Sequence, residues 1–389
     1  ASERGYRIPK DLSLLTLSES RSSRILYPKL TSIYLPVEEL GEYVCCQVIA
    51  DWEKREGEQR EEQIEILEGD TTGEIPEHIV GKIVVVGSIN MDSIIDVRKF
   101  PEAGQTCVAE ELHSYAGGKG FNQAVGAAKL GAEAVLIGKI GQDYEAKVLR
   151  DAMAGYGLCV DGISESTAGG TGKAYITVQK NGESNIIVYA GANNFLTKED
   201  IRKNRPLFAG AQFCLLQLET PMEIVEYAAQ MAKELGIRTI LKPAAVDEIS
   251  DALLEKIDIF VPNRKELLHL CPEGKTIEEK AQYFLDRGAG EVIVTLDEDG
   301  CFWKSREGAR YFPAADFEAV DTTGAADAFI AALAVYLAEG ASMVQAITFA
   351  TYAAGFSITR NGVPASMVDR DTMDIYTGKI AEAILHKEF

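Results

Sequence analysis

The strongest constraint on this 389-residue chain is a run that no half-solvated strand could carry, Lys82-Ile83-Val84-Val85-Val86-Gly87. Four β-branched residues in succession leave neither face polar, so the strand must be buried on both sides. Similar runs recur at Val135-Leu136-Ile137-Gly138, Phe213-Cys214-Leu215-Leu216-Gln217, Thr239-Ile240-Leu241, Ile257-Asp258-Ile259-Phe260-Val261 and Val292-Ile293-Val294-Thr295. Amphipathic stretches with helical period lie between and after them, at 121–131, 144–155, 221–235, 276–288, 325–339 and 342–357. Strand–helix alternation at this rhythm predicts an α/β fold, a doubly wound parallel sheet with helices on both faces. Ligands of such sheets sit outside the carboxyl ends of the strands.

Two stretches break the rhythm. Residues 94–115 and 173–190 alternate with period two, and Asn181-Gly182 is a hairpin signal, which together predict a small antiparallel flap acting as a lid over the strand ends. The new domain is expected to run over 81–389, with residues 1–80 as an appendage and linker. Within the appendage, Ser13–Leu17, Leu30–Leu35 and Gln63–Leu67 read as strands. Pro36 opens a helical pattern reaching Trp52, and residues 53–62 are mostly charged.

A formal charge of −21 argues against a nucleic-acid surface, because phosphate backbones attract Lys and Arg. The seven cysteines are odd in number and form no CxxC pair, the pattern of reduced thiols in a cytoplasmic protein. No apolar run approaches the ~20 residues that span a bilayer. Residues 1–5 lack a signal-peptide pattern and an initiator Met, as a fragment of a longer chain would. The four histidines are far apart in sequence and suggest no zinc cluster.

Chemistry concentrates in Ala319-Val320-Asp321-Thr322-Thr323-Gly324-Ala325-Ala326-Asp327-Ala328-Phe329, where a small-residue turn opens a helix. Unpaired N–H groups at the positive end of a helix dipole make an anion site, with phosphate the usual anion. Asp327 is then either an ordinary helix-capping carboxylate or a general base beside a phosphate cradle. Asn90-Met91-Asp92, directly after the first buried strand, is either an Asx turn or a holder of vicinal hydroxyls. Gly117-Gly118-Lys119-Gly120 lacks P-loop spacing. It reads as a flexible turn, or as a close backbone approach to a small ligand with Asn122 pointing at it.

Gly87-Ser88-Ile89-Asn90-Met91-Asp92, Gly117–Gly120 with Asn122-Gln123-Ala124, Ala190-Gly191-Ala192-Asn193, Leu218-Glu219-Thr220-Pro221, Pro262-Asn263-Arg264-Lys265-Glu266 and Asp321–Asp327 occur in this order. That series resembles the ribokinase family of sugar kinases from residue 82 to about 370. The resemblance implies ATP-dependent phosphorylation of the 5-hydroxyl of ribose. Asn90, Asp92, Gly118, Lys119, Asn122 and Glu219 would bind the pentose. Asn263 and Glu266 would serve the nucleotide phosphates and the water shell of Mg²⁺, and Thr295 would line the nucleotide site. Gly324, Ala325 and Ala326 would form the anion hole, with Asp327 as the base. K⁺ would sit beside that hole, between a loop containing Asp321 and Thr323 and another running from Arg360 through Gly362 to Ser366. A homodimer joined through the flaps is also implied, since exposed strand edges invite pairing. Other pentoses, deoxyribose and nucleosides are the alternative substrates.

Three positions depart from the family pattern. Lys242 stands where Asn is usual, Asp297 replaces a Gly near the nucleotide, and Ala326 replaces the Gly before the base. These, and a moderately specific resemblance of residues 1 to about 70 to the closing segment of lactose-repressor-family effector domains, motivate a different reading, a non-catalytic sugar sensor.

Overall fold

The computed structural model describes residues 15–18, 31–34, 43–46, 48, 65–67, 81–179, 183–244 and 246–385. The chain divides into two compact units, Ala1–His78 and Ile79–Phe389. In the first, β1 (Leu15–Ser18) pairs in parallel with β2 (Thr31–Tyr34), and β2 pairs antiparallel with β3 (Glu65–Leu67). Residues 43–46 and 48, inside the stretch expected as a helix, are helical. The charged stretch 53–62 lies outside the described residues.

The second unit is built on a nine-stranded sheet. Its strands are β4 (Lys82–Val86), β7 (Glu133–Ile140), β8 (Ile163–Glu165), β11 (Ala211–Gln217), β12 (Arg238–Lys242), β13 (Ile259–Phe260), β14 (Glu291–Thr295), β15 (Cys301–Lys304) and β16 (Ala309–Phe312). The order is β16-β15-β14-β13-β12-β11-β4-β7-β8. All pairings from β14 to β8 are parallel, and only β14–β15 and β15–β16 are antiparallel. The antiparallel edge was not expected, because the apolar run Cys301-Phe302-Trp303 is too short to give a clear strand signal.

The continuous apolar strands are explained by the two cores they serve. Ile83 and Val85 face a core with Phe121, Leu149, Phe329 and Leu333, while Val84 and Val86 face another with Val225, Ala228, Phe284 and Leu267. The first core is covered by α1 (Lys119–Lys129), α2 (Tyr144–Gly155), α6 (Ala325–Ala338) and α7 (Met343–Ser357). The second is covered by α3 (Met222–Glu234), α4 (Arg264–Leu270) and α5 (Ile277–Asp286). The apolar run 257–261 shortens to a two-residue strand, yet Ile257 and Val261 stay buried beside it.

The flap is a four-stranded sheet of order β10-β9-β5-β6, from β5 (Asn90–Val97), β6 (Glu111–Gly117), β9 (Gly172–Gln179) and β10 (Ser184–Tyr189). Both outer pairs are antiparallel as expected, but the central pair β5–β9 is parallel. The chain reaches β9 only after crossing through β7, α2 and β8, so no hairpin can join it to β5. Residues 98–110, within the expected alternation, lie outside the strands. The Asn181-Gly182 turn lies outside the described residues.

Candidate active site

The chain leaves β4 towards β7 on one side and returns at β11 on the other, so the strand order switches direction between β4 and β11. This is where doubly wound sheets open a crevice. Ser88, just after β4, donates its hydroxyl to Glu219 Oε2 at 2.6 Å, just after β11, and so spans the switch point. The same edge is kept open by glycine. A Cβ on Gly120 would lie 2.7–2.8 Å from the backbone of Gly87 and Ser88, so α1 can start this close to β4 only without a side chain.

That close start gathers six sequence-predicted residues. Lys119 Nζ lies 3.5 Å from Glu219 Oε1. Asn122 Nδ2 donates to Asp327 Oδ2 at 3.2 Å, linking the first turns of α1 and α6. The backbone of Gly118 lies near enough to Asp92 to favour its charged form. Burial, with the Glu219 and Asp327 carboxylates adding to it, pushes the Asp92 carboxyl up to about 7. The Lys119 ammonium is held above its ordinary range, chiefly by Glu219.

Asp327 is 4% exposed, and burial raises its affinity for a proton. Its position follows from Gly324, whose φ of 79° reverses the chain immediately before α6. A Cβ there would also strike Val363 at 2.1 Å. The N–H groups of Asp327 and Ala328 turn inward to Gly324 O, both at 3.0 Å. Ala326 adopts the helical conformation open to any residue and keeps its N–H.

Gln123, Gln217 and Asn193 hold the site together, a role that their sequence context alone does not assign. Gln217, the last residue of β11, donates to Gln123 Oε1 at 2.6 Å, and Gln123 donates to Asp327 Oδ1 at 2.9 Å. Gln123 and Gln217 are fully buried, so this amide chain fixes the carboxylate from the core side. Asn193 accepts from Ile89 N at 3.0 Å and donates to Asn90 Oδ1 at 2.8 Å, which sets the Asn90 side chain. A polar residue in an otherwise apolar β11 run was the available signal for Gln217.

A second group lies at the carboxyl ends of β12 to β14. Asn263 caps α4 in a reciprocal box: its Oδ1 accepts from Glu266 N at 2.8 Å, and Glu266 Oε2 accepts from Asn263 N at 2.8 Å. Asn263 forms an isolated parallel bridge with Thr295. Lys242 is 2% exposed and pairs through its ammonium with Glu266 Oε2, while burial lowers the proton affinity of its amine. Asp297 is exposed with φ 53°, the left-handed conformation that Asp tolerates better than most residues and that explains a glycine in the family pattern. The two clusters feel each other: Glu266 acts electrostatically on Lys119, and Asp327 on Lys242.

The loop before α6 is tied to the end of α7. Val320 N and Asp321 N both donate to Ile358 O, at 2.7 and 3.1 Å, and Thr323 N donates to Asp321 Oδ1 at 2.9 Å. Gly362 and Ser366 bound the short helical turn beside Gly324, with Ser366 N donating to Gly362 O at 2.9 Å. Arg360 departs from this gathering: its guanidinium lies over the Phe356 ring at 4.8 Å.

Comparison with known proteins decides the family. Residues 80–370 match the pfkB family carbohydrate kinase profile. This chain belongs to that family of sugar kinases. Residues 1–72 match the periplasmic binding protein-like domain profile, in keeping with the repressor-effector resemblance of the appendage. The chain is 36% identical to the ribokinase of Haemophilus influenzae over 292 residues, covering 74% of this chain and 95% of that one. It is 34% identical to a deoxyribokinase of Salmonella typhi, covering 73% and 94%. A solved structure of Arabidopsis thaliana ribokinase complexed with ribose and ATP superposes with a TM-score of 0.70 at 31% identity, over 77% of this chain and 99% of that one. The resemblance read from the sequence to the ribokinase family therefore holds. So does the α/β fold.

Proposed function

We propose that this kinase phosphorylates D-ribose at O5, producing ribose 5-phosphate and ADP. The observation that carries the reading is the buried Asp327 carboxylate at the start of α6, clamped by Gln123 and Asn122 and facing Lys119, Glu219 and Asp92. Asn90, Asp92, Lys119, Asn122 and Glu219 supply the hydrogen bonds for sugar hydroxyls, and Gly118 lets the backbone approach. Asp327 accepts the proton of the attacking primary hydroxyl, an action for which its raised proton affinity suits it. The N–H groups of the Gly324–Ala326 turn stabilise charge on the transferred phosphoryl. Asn263 and Thr295 border the nucleotide.

The residues fit the ions that such a reaction uses. Glu266 offers oxygen donors of the kind Mg²⁺ takes through water, and both its side-chain bonds fall on Oε2, leaving Oε1 without a partner among the described residues. When bound, Mg²⁺ would neutralise the charge that develops on the phosphates. Asp321 is tied by its N–H to Ile358 O and Gly324 packs close to Val363, and the oxygen-rich loops carrying Asp321, Thr323 and Gly362–Ser366 are where K⁺ would be held; Arg360 would contribute its backbone, since its side chain lies over Phe356.

A homodimer through the flaps is part of this reading. Ile186, Ile187, Val188 and Tyr189 on the edge strand β10 are each more than half exposed, an apolar edge that pairing with a second copy would cover. No helix among the described residues is long and apolar enough to cross a membrane, and the free thiols suit the reducing cytoplasm.

The deoxyribokinase relative supports a second reading, 2-deoxyribose as the acceptor. Coupled ADP release with ribose, deoxyribose, other pentoses and nucleosides tests both. Ribose should give the highest kcat/KM. A preference for another acceptor would overturn the ribose assignment, and sugar binding without ADP release would favour a sensor.

A further inference from the structure

Lys242 is the last residue of β12, at the ligand-facing edge of the sheet, and it carries a charge where the family pattern has a neutral amide. An ammonium that is 2% exposed must have an anionic partner. Here the partner is Glu266 Oε2, the same oxygen that accepts the Asn263 N–H at 2.8 Å. The carboxylate suited to support a divalent cation is thus already neutralised by the protein. Asp327 and Lys119 both lie within electrostatic range of the same ammonium.

We propose that Lys242 is a built-in counter-cation that closes Glu266 to divalent metal until a nucleoside triphosphate arrives and its polyphosphate takes over the ammonium. The proposal rests on the kinase reading, because it needs a polyphosphate beside Glu266. Its physical basis is twofold. An ammonium on Glu266 Oε2 neutralises the carboxylate as a whole, so that even with Oε1 unpartnered a second cation is repelled strongly at an effective dielectric constant of ~20. A triphosphate offers more anionic oxygens than one carboxylate, so the buried ammonium gains by changing partner, and Glu266 is released when metal accompanies the nucleotide. Lys242 is accordingly a positioning residue that couples metal support to nucleotide occupancy.

The test measures Mn²⁺ alone, by the paramagnetic resonance signal of the free ion, on the full chain without nucleotide or sugar. Lys242→Met and Lys242→Asn should each bind Mn²⁺ at least about tenfold more tightly than wild type, since one contact charge is removed. Lys242→Arg should behave as wild type, and adding Glu266→Gln to either neutral variant should abolish the gain. A non-hydrolysable ATP analogue should narrow the gap between wild type and the neutral variants. Unchanged Mn²⁺ affinity in a folded neutral variant, or a gain that survives Glu266→Gln, would overturn the proposal. Should both neutral variants fail to fold, Glu266→Gln in the wild type decides: it should leave nucleotide-free Mn²⁺ binding unchanged, and a weakening would show Glu266 already open. None of these readouts uses turnover. A wild-type chain that releases no ADP with any sugar refutes the kinase reading separately.

Discussion

Asp327→Asn should abolish turnover while leaving the protein folded, and the hydrogen bonds around Asp327 say why. The carboxylate accepts Gln123 Nε2 on Oδ1 at 2.9 Å and Asn122 Nδ2 on Oδ2 at 3.2 Å. An amide replaces one acceptor by a donor, and a buried donor facing another donor costs ~1–3 kcal/mol. Gln123 cannot turn to relieve this, because its Oε1 accepts Gln217 at 2.6 Å. Asn122 can, since its buried Oδ1 has no partner. Rotating the Asn122 amide then lets it accept from the introduced NH₂, so the mismatch disappears. The substitution also removes a buried carboxylate whose proton affinity is raised by desolvation. Such a group opposes folding progressively as pH rises above its unfolded value. The variant should therefore melt no lower than wild type at pH 8. Loss of the general base should lower kcat by ~10²–10⁴-fold, about 3–5 kcal/mol of transition-state free energy. Sugar and ATP affinities by calorimetry should stay within a few-fold. Turnover within a few-fold of wild type, measured by coupled ADP release, would remove Asp327 from the role of base.

Further expectations concern stability, the phosphate turn and the appendage. Asp92 keeps its proton in the folded protein up to about pH 7, against an ordinary value of 3.8 in the unfolded chain, so its contribution is fully present below pH 3.8 and is lost as pH rises towards 7. Asp92→Asn should gain thermal stability relative to wild type over that window, level off above pH 7 and bind ribose more weakly; a pH-independent difference in melting temperature would refute the buried-proton account. Ala326→Gly should raise kcat with little change in the KM for ribose, because only the methyl separates this turn from the family pattern, and an equal or slower folded variant would show the methyl to be innocent. A chain starting near Glu77 should keep kinase activity, since residues from Ile79 onward form their own compact unit; a soluble, folded truncation without activity would place the appendage in the site.

Much of this architecture is written in local sequence. Ile83 to Val86 could only be a strand buried on both faces, and the two cores that take its alternate side chains bear this out. The helix starts were legible for the same local reason: Gly324 and the alanines after it mark where α6 can begin, and the Pro262–Glu266 motif contains the reciprocal cap of α4. Long-range partners were not legible. The parallel β5–β9 pairing joins strands 82 residues apart at Asn90 and Gly172, with two helices and three strands between, so period-two alternation alone suggested only a hairpin flap. The amide chain from Gln217 through Gln123 to Asp327 joins three elements, and no spacing rule connects residues 94 and 204 positions apart. Lys242 shows the division most plainly. Sequence marks it as a charge in a buried strand, but only the packing of β12 against α4 supplies its counter-ion. A strand or helix can be read from its own residues because the backbone conformation is local, whereas the partner of a buried charge is set by whichever element the fold brings beside it.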